Sequence, residues 1–247
     1  MISLIKAKKV TNNKLFLTGK NSIYEAIKFN FKIEKIYLEK GKKLELETDI
    51  KITYLDKYEM NKLTKTNHQG YIAQISDFNY LTIEELIKTQ EPIIVLDHLE
   101  DPQNFGAIIR SANSFGIKNM VFAKERSVQI TDAVLKASSG GFINMKFHKA
   151  SSLTTTIQKL KKAGYWVYAS HLSEKTVDLK SVDFDNKSVV IIGNEHKGVN
   201  NSLIKESDLL FKIPSFGTVQ SLNASAASAI IFYDLKLKIE AKRLILK

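Results

Sequence analysis

From Pro92 onward the chain settles into a repeat that leaves few architectures open. Short strand-like runs, PIIVLDHL, NMVFAK, INMKFHK, YWVYAS, SVVIIGN and LLFKIP, alternate with segments of helical period. The first run is continuously apolar rather than alternating, the mark of a strand buried on both faces. About six such strands separated by helices predict an α/β domain on a parallel, doubly wound sheet. Ligands in that architecture bind at the carboxyl ends of the strands. Chemistry is therefore to be sought in the residues that follow each run.

Ahead of Pro92 the same elements occur on a smaller scale. IEKIYLE, IKITYLD and YIAQIS read as strands, and NSIYEAIKF and KYEMNKLTKT as helices. Ser22 with Glu25 three residues on has the spacing of a helix N-cap. These elements predict a compact α/β unit over residues 1–76. The stretch DFNYLTIEELIKTQE, residues 77–91, is polar with one short helical segment near Ile83 and reads as a linker to a larger domain, 92–247.

Composition narrows the partners. The 247 residues carry 37 basic and 26 acidic side chains, a formal charge of +11. A surplus of that size favours polyanions such as nucleic acids through phosphate contacts and counterion release. Only Arg110, Arg126 and Arg243 are arginines. Where Lys is the default cation, an Arg stands out for its planar, five-donor fork. With no cysteine, disulfides and thiolate metal sites are excluded, which suits a reducing cytoplasm. The five histidines are scattered without the spacing of a zinc site, so no metal is expected. No apolar run reaches membrane-spanning length, and MISLIKAKKVTNNK lacks the core of a signal peptide.

Three strand-end segments concentrate the candidate residues. In LDHLEDPQNFGAIIRSANSFGI, Asp101 and Pro102 are suited to open a helix and Gly116 to end it. Phe105, Ile108, Ile109, Ala112 and Phe115 form one apolar stripe, which leaves Arg110 on the other face, either as a solvated cation or as a site residue. Asn104, beside Gly106, suits capping or a site equally. In VVIIGNEHKGV, Gly193 and Gly198 have the glycine spacing of a phosphate loop, but Val199 and Asn200 stand where Lys and Ser or Thr are needed. Glu195 also brings a carboxylate to that loop. A nucleoside triphosphate is thereby excluded, and a loop acid or a partner for hydroxyl and amino donors is left. In SFGTVQSLNASAASAIIF, Ser221 or Asn223 can cap the helix that follows, and its alanines allow close packing.

Taken together and in order, these segments read N-x-G-x-x-x-R (Asn104, Gly106, Arg110), G-x-E-x-x-G (Gly193, Glu195, Gly198) and I-P with S-L-N-x-S-x-A (Ile213–Pro214, Ser221–Ala226). This set resembles the SpoU, or TrmH-like, branch of the knotted SPOUT RNA methyltransferases. GKNSIYEAI and NHQGYIA are similar to the two short signatures of the ribosomal-protein-like RNA-binding domain often fused to that branch. Departures are small: Asn194 and Ala224 replace the more usual Ala or Ser and Val, and Ser215 replaces a common Met. The resemblance implies a deep trefoil knot in the C-terminal domain, a homodimer with the site beside its interface, and S-adenosylmethionine as cofactor. It implies that Gly193, Ile213 and Leu222 hold that cofactor, and that Asn104, Arg110, Glu195, Ser221 and Asn223 line the reaction centre. The implied reaction is methylation of a ribose 2′-hydroxyl, with ribosomal RNA, at a guanosine of the large subunit, as the nearest substrate. Transfer RNA, a ribosomal adenosine, and a non-catalytic RNA-binding module of the same fold are the alternatives.

Overall fold

A computed structural model describes residues 14–76, 78–173, 175–194, 197–218 and 221–245. The chain divides into two compact units, the first ending at Phe78 and the second beginning at Asn79.

The first unit runs β1 (Leu15–Thr18), α1 (Lys20–Lys28), β2 (Ile33–Glu39), β3 (Ile52–Leu55), α2 (Lys57–Leu63) and β4 (Tyr71–Ile75). Its sheet has the order β1-β4-β2-β3, with β4 antiparallel to both neighbours and β2 parallel to β3. Phe16, Met60 and Ile72 form one buried cluster on it. Helix α2 is opened by a capping box: Asp56 accepts the Glu59 N–H, and Glu59 accepts the Asp56 N–H. Helix α1 differs from expectation. Gly19, at φ 91°, turns the chain straight out of β1, so the helix begins at Lys20 and Ser22 is buried inside it rather than capping it.

The second unit runs α3 (Ile83–Ile87), β5 (Ile93–Leu96), α4 (Pro102–Ser114), β6 (Asn119–Ala123), α5 (Asp132–Ser138), β7 (Lys146–Ala150), α6 (Leu153–Lys162), β8 (Trp166–Ser170), β9 (Val177–Asp178), β10 (Ser188–Ile192), α7 (Asn201–Glu206), β11 (Leu209–Lys212) and α8 (Ala224–Ile245). Its seven strands form one sheet, β7-β6-β5-β10-β8-β11-β9, and every pairing is parallel. The expected six strands are all present. The seventh, β9, is two residues long, too short to carry a period. Ile93 to Leu96 in β5 and Val189 to Ile192 in β10 are buried throughout, as continuous apolar runs in a covered sheet require.

The stretch expected as a linker over 77–91 behaves otherwise. Thr82 and Glu85 form a capping box that opens α3, and Ile83 and Leu86 are buried in the core of the second unit. The Leu81 N–H donates to the Phe147 carbonyl, tying the stretch to β7. Two apolar anchors in a five-residue helix suffice to recruit it, although its average composition is polar.

The strand order reverses between β5 and β10. Strands β6 and β7 extend to one side, and β8, β11 and β9 to the other. Such a switch point opens a crevice at the carboxyl ends of the strands.

Candidate active site

Three elements meet at that edge. Asp101 caps α4, accepting from the N–H groups of Gln103 and Asn104, with Pro102 as the first helical residue. Asn104 is thus buried in the first turn of α4. Phe105, Ile108, Ile109 and Ala112 are fully buried on the apolar face, while Phe115 is half-buried and Arg110 is exposed on the other side. Two close approaches fix this helix. A Cβ on Gly106 would lie 2.4 Å from the Ala137 Cβ, and one on Gly141 would lie 2.6 Å from the Arg110 Cα. The backbone that carries Arg110 is therefore set by contact with the turn after α5.

The loop after β10 is closed on itself. Asn194 and Gly198 exchange backbone hydrogen bonds of 3.0 and 2.9 Å. A Cβ on Gly193 would lie 2.3 Å from the Gly198 carbonyl carbon and 2.4 Å from the Val199 nitrogen, so only glycine fits there. The end of β5 anchors both sides of this loop. Buried Asp97 accepts the Asn200 N–H at 2.6 Å, and the His98 carbonyl accepts from the Asn194 Nδ2 at 2.9 Å. Asn194, one of the departures noted above, thus gains a specific role. Glu195 lies outside the described residues.

After β11 the chain passes through 213–218 to α8. Asn223 caps that helix: its Oδ1 accepts from the Ser225 N–H at 2.8 Å, the Ser225 hydroxyl at 2.6 Å and the Ala226 N–H at 3.4 Å. Its Nδ2 donates to the Asn104 Oδ1 at 2.9 Å, across 119 residues of sequence. Of the two caps open to sequence reading, Asn223 is the one used. The first and third motifs are joined through this bond.

A cavity of about 800 Å³ opens at the ends of β8, β10 and β11. Gly193, Ile213, Ser221 and Leu222 line it, as do Ala224 and Ala227 on the first turn of α8. Its volume suits a ligand of nucleoside size. Among the described residues, Asn104, Arg110 and Asn223 do not line it, although Asn223 sits between two residues that do. Sequence reasoning missed Ser170, His171 and Leu172, which form the wall contributed by β8, and also Lys197 and Lys212. Ser170 ends YWVYAS, and His171 and Leu172 follow it directly, so the strand-end rule that marked the other loops was a signal for them too. Among the described residues there is no group of three or more His, Asp or Glu side chains placed to hold a metal ion.

Asn223 therefore has two tasks, and substitutions separate them. Asn223→Ala is expected to cost about 1–2 kcal/mol of stability, the usual worth of a helix cap. Asn223→Ser restores a capping oxygen but is too short to hold Asn104. Thermal denaturation should show Ser recovering most of the loss, while activity at the site stays impaired in both variants. Full activity in Asn223→Ser would remove the Asn104 bond from the argument.

These features correspond to a known class. Residues 91–233 match the SpoU rRNA Methylase family, and residues 16–81 match the family described as RNA 2′-O ribose methyltransferase substrate binding. YacO of Bacillus subtilis (strain 168), named as a TrmH family tRNA/rRNA methyltransferase, is 30% identical over 238 residues, covering 90% of this chain and 95% of its own. Among solved structures, the SpoU methyltransferase AviRb from Streptomyces viridochromogenes superimposes with a TM-score of 0.78 at 17% identity, covering 93% of this chain and 91% of that one. An AdoMet-bound rRNA methyltransferase from Sinorhizobium meliloti gives 0.77 at 22% identity, covering 91% and 87%. The chain belongs to the SpoU/TrmH family of RNA 2′-O-ribose methyltransferases. The cofactor that goes with this membership is S-adenosylmethionine. The cavity lined by Gly193, Ile213, Leu222 and Ala224 is large enough for it.

Proposed function

We propose that this chain methylates the ribose 2′-hydroxyl of one guanosine in 23S ribosomal RNA. The observation that carries the reading is the Asn104–Asn223 hydrogen bond, which ties the first motif to the third beside a cavity lined by Gly193, Ile213 and Leu222. Those three residues hold S-adenosylmethionine, largely through backbone groups. Residues 1–76 grip RNA by shape and phosphate contacts, and residues 92–247 carry out the transfer. The match of residues 16–81 to a substrate-binding family supports this division.

When bound, the cofactor supplies an already activated methyl group. The protein's own residues must align a ribose hydroxyl with it and ease loss of the hydroxyl proton. Guanidinium stays protonated in proteins, so Arg110 does not serve as a base. Its fork clamps the adjacent phosphate and stabilises the alkoxide as it develops. Ser221 and Asn223 orient the nucleotide or Arg110, and Glu195 holds the base or ribose through its donors.

The same reading makes the enzyme a homodimer with a deep trefoil knot. In the sheet β8 and β10 separate β11 from β5, yet Asn223, which follows β11, bonds Asn104 on α4, which follows β5, a juxtaposition that suits a threaded chain. On α8, Ile230, Tyr233, Leu237 and Leu244 are exposed at helical spacing, an apolar stripe suited to a second copy. Mapping of ribose methylation on RNA from a strain lacking this chain tests the proposal. Loss of one 2′-O-methyl guanosine from 23S RNA is the expected result. Loss from transfer RNA or at an adenosine would move the substrate. An unchanged map, with no cofactor binding by the purified chain, would leave a non-catalytic RNA-binding module.

A further inference from the structure

The rim of the cavity carries one side chain that the chemistry above does not use. Phe216 is 98% exposed, the most exposed large apolar side chain among the described residues. It lies on the loop between Ile213 and Ser221 and lines the cavity together with Lys197 and Lys212. Only Pro214 and Ser215 separate it from Ile213, a reach of at most about 11 Å. The ring is thus tethered at the cavity to which an acceptor ribose has to come. No described residue covers it.

We infer that Phe216 is a stacking platform for an unpaired base of the substrate RNA, at or next to the acceptor nucleotide. The inference rests on the proposed function, which brings a ribose to this cavity. A free aromatic face flanked by cations is the pattern by which proteins hold single-stranded nucleic acid: the ring takes a base and the lysines take the backbone. A base inside a duplex already has both faces covered by its neighbours. The ring therefore selects a nucleotide that is unstacked, in a loop, bulge or flipped state. Every base offers such a face, so this contact selects for local strand structure and leaves base identity to other groups. A second copy of the chain is the other conceivable cover for the ring. The lysines that line the same cavity favour a polyanion, and α8 offers its own apolar stripe for self-association.

The test uses the full chain, unmodified large-subunit ribosomal RNA transcribed in vitro, and S-adenosylmethionine labelled in its methyl group. F216A is expected to raise the KM for RNA by about 5- to 150-fold, the range of one lost base–aromatic stack. Its sedimentation should match the wild type, its Kd for S-adenosylmethionine should change far less than its KM for RNA, and F216W should restore the KM. Trp166 is the single tryptophan of the sequence. In W166F F216W the introduced indole is then the only one, and its emission should be quenched when RNA is added. A wild-type KM in F216A, or an indole that RNA leaves unquenched while methylation proceeds, overturns the inference. So does an F216A protein whose main change is dissociation in the centrifuge, which would seat the ring against a second copy. Those outcomes leave the enzyme reading standing. A wild-type protein that binds no S-adenosylmethionine would overturn that reading, and the stacking inference with it.

Discussion

Arg110→Lys is expected to lower single-turnover methylation by about 100-fold or more, the usual effect of losing one electrostatic donor. The positive charge is kept, and the site is exposed on α4, so neither stability nor cofactor binding should change appreciably. What is lost is the fork. A guanidinium can hold two phosphate oxygens at once in a fixed plane, whereas an ammonium is a compact point charge on a flexible stem. The close packing of Gly141 on the Arg110 backbone means that the stem of the fork starts from a defined position. Rapid-quench measurement with saturating RNA and cofactor isolates the chemical step. A Lys variant that turns over at the wild-type rate would show that charge alone suffices and would end the clamp argument.

Gly193→Ala is expected to weaken cofactor binding markedly. Its new Cβ would meet the carbonyl carbon of Gly198 at 2.3 Å, the nitrogen of Val199 at 2.4 Å and the Gly198 carbonyl oxygen at 2.8 Å. All three are backbone atoms, so no side chain can swing aside. The loop must open, breaking the paired Asn194–Gly198 hydrogen bonds that shape the cavity wall. Overpacking of this kind costs about 1–3 kcal/mol. Taken from cofactor affinity alone, that is roughly 5- to 150-fold in Kd. Calorimetric titration with S-adenosylmethionine reads it directly. A wild-type Kd would mean that the loop relaxes without disturbing the site.

Much of this site was legible along the chain because its parts are local. The capping of α4 follows from Asp101 and Pro102, whose chemistry acts within one helical turn. The exposure of Arg110 follows from the apolar stripe beside it. Other features left no local trace. Ser22 has the spacing of a cap, yet the turn at Gly19 starts the helix earlier. Residues 79–91 are polar on average, yet Ile83 and Leu86 bind them to the second core. The anchoring of the Gly193 loop by Asp97 and His98 joins residues about a hundred positions apart, as Asp97 and Asn200 do across 103.

The amino-acid order by itself determined the class of fold, since burial on both faces demands unbroken apolar runs and period follows from backbone geometry. It also set the order of the motifs and the charge that suits a polyanionic partner. Only the tertiary structure decided that β10 lies between β5 and β8, and that Asn223 reaches Asn104. The physical reason is that one buried apolar strand resembles another. Which pair lies side by side depends on how the whole core packs, and no single segment carries that information.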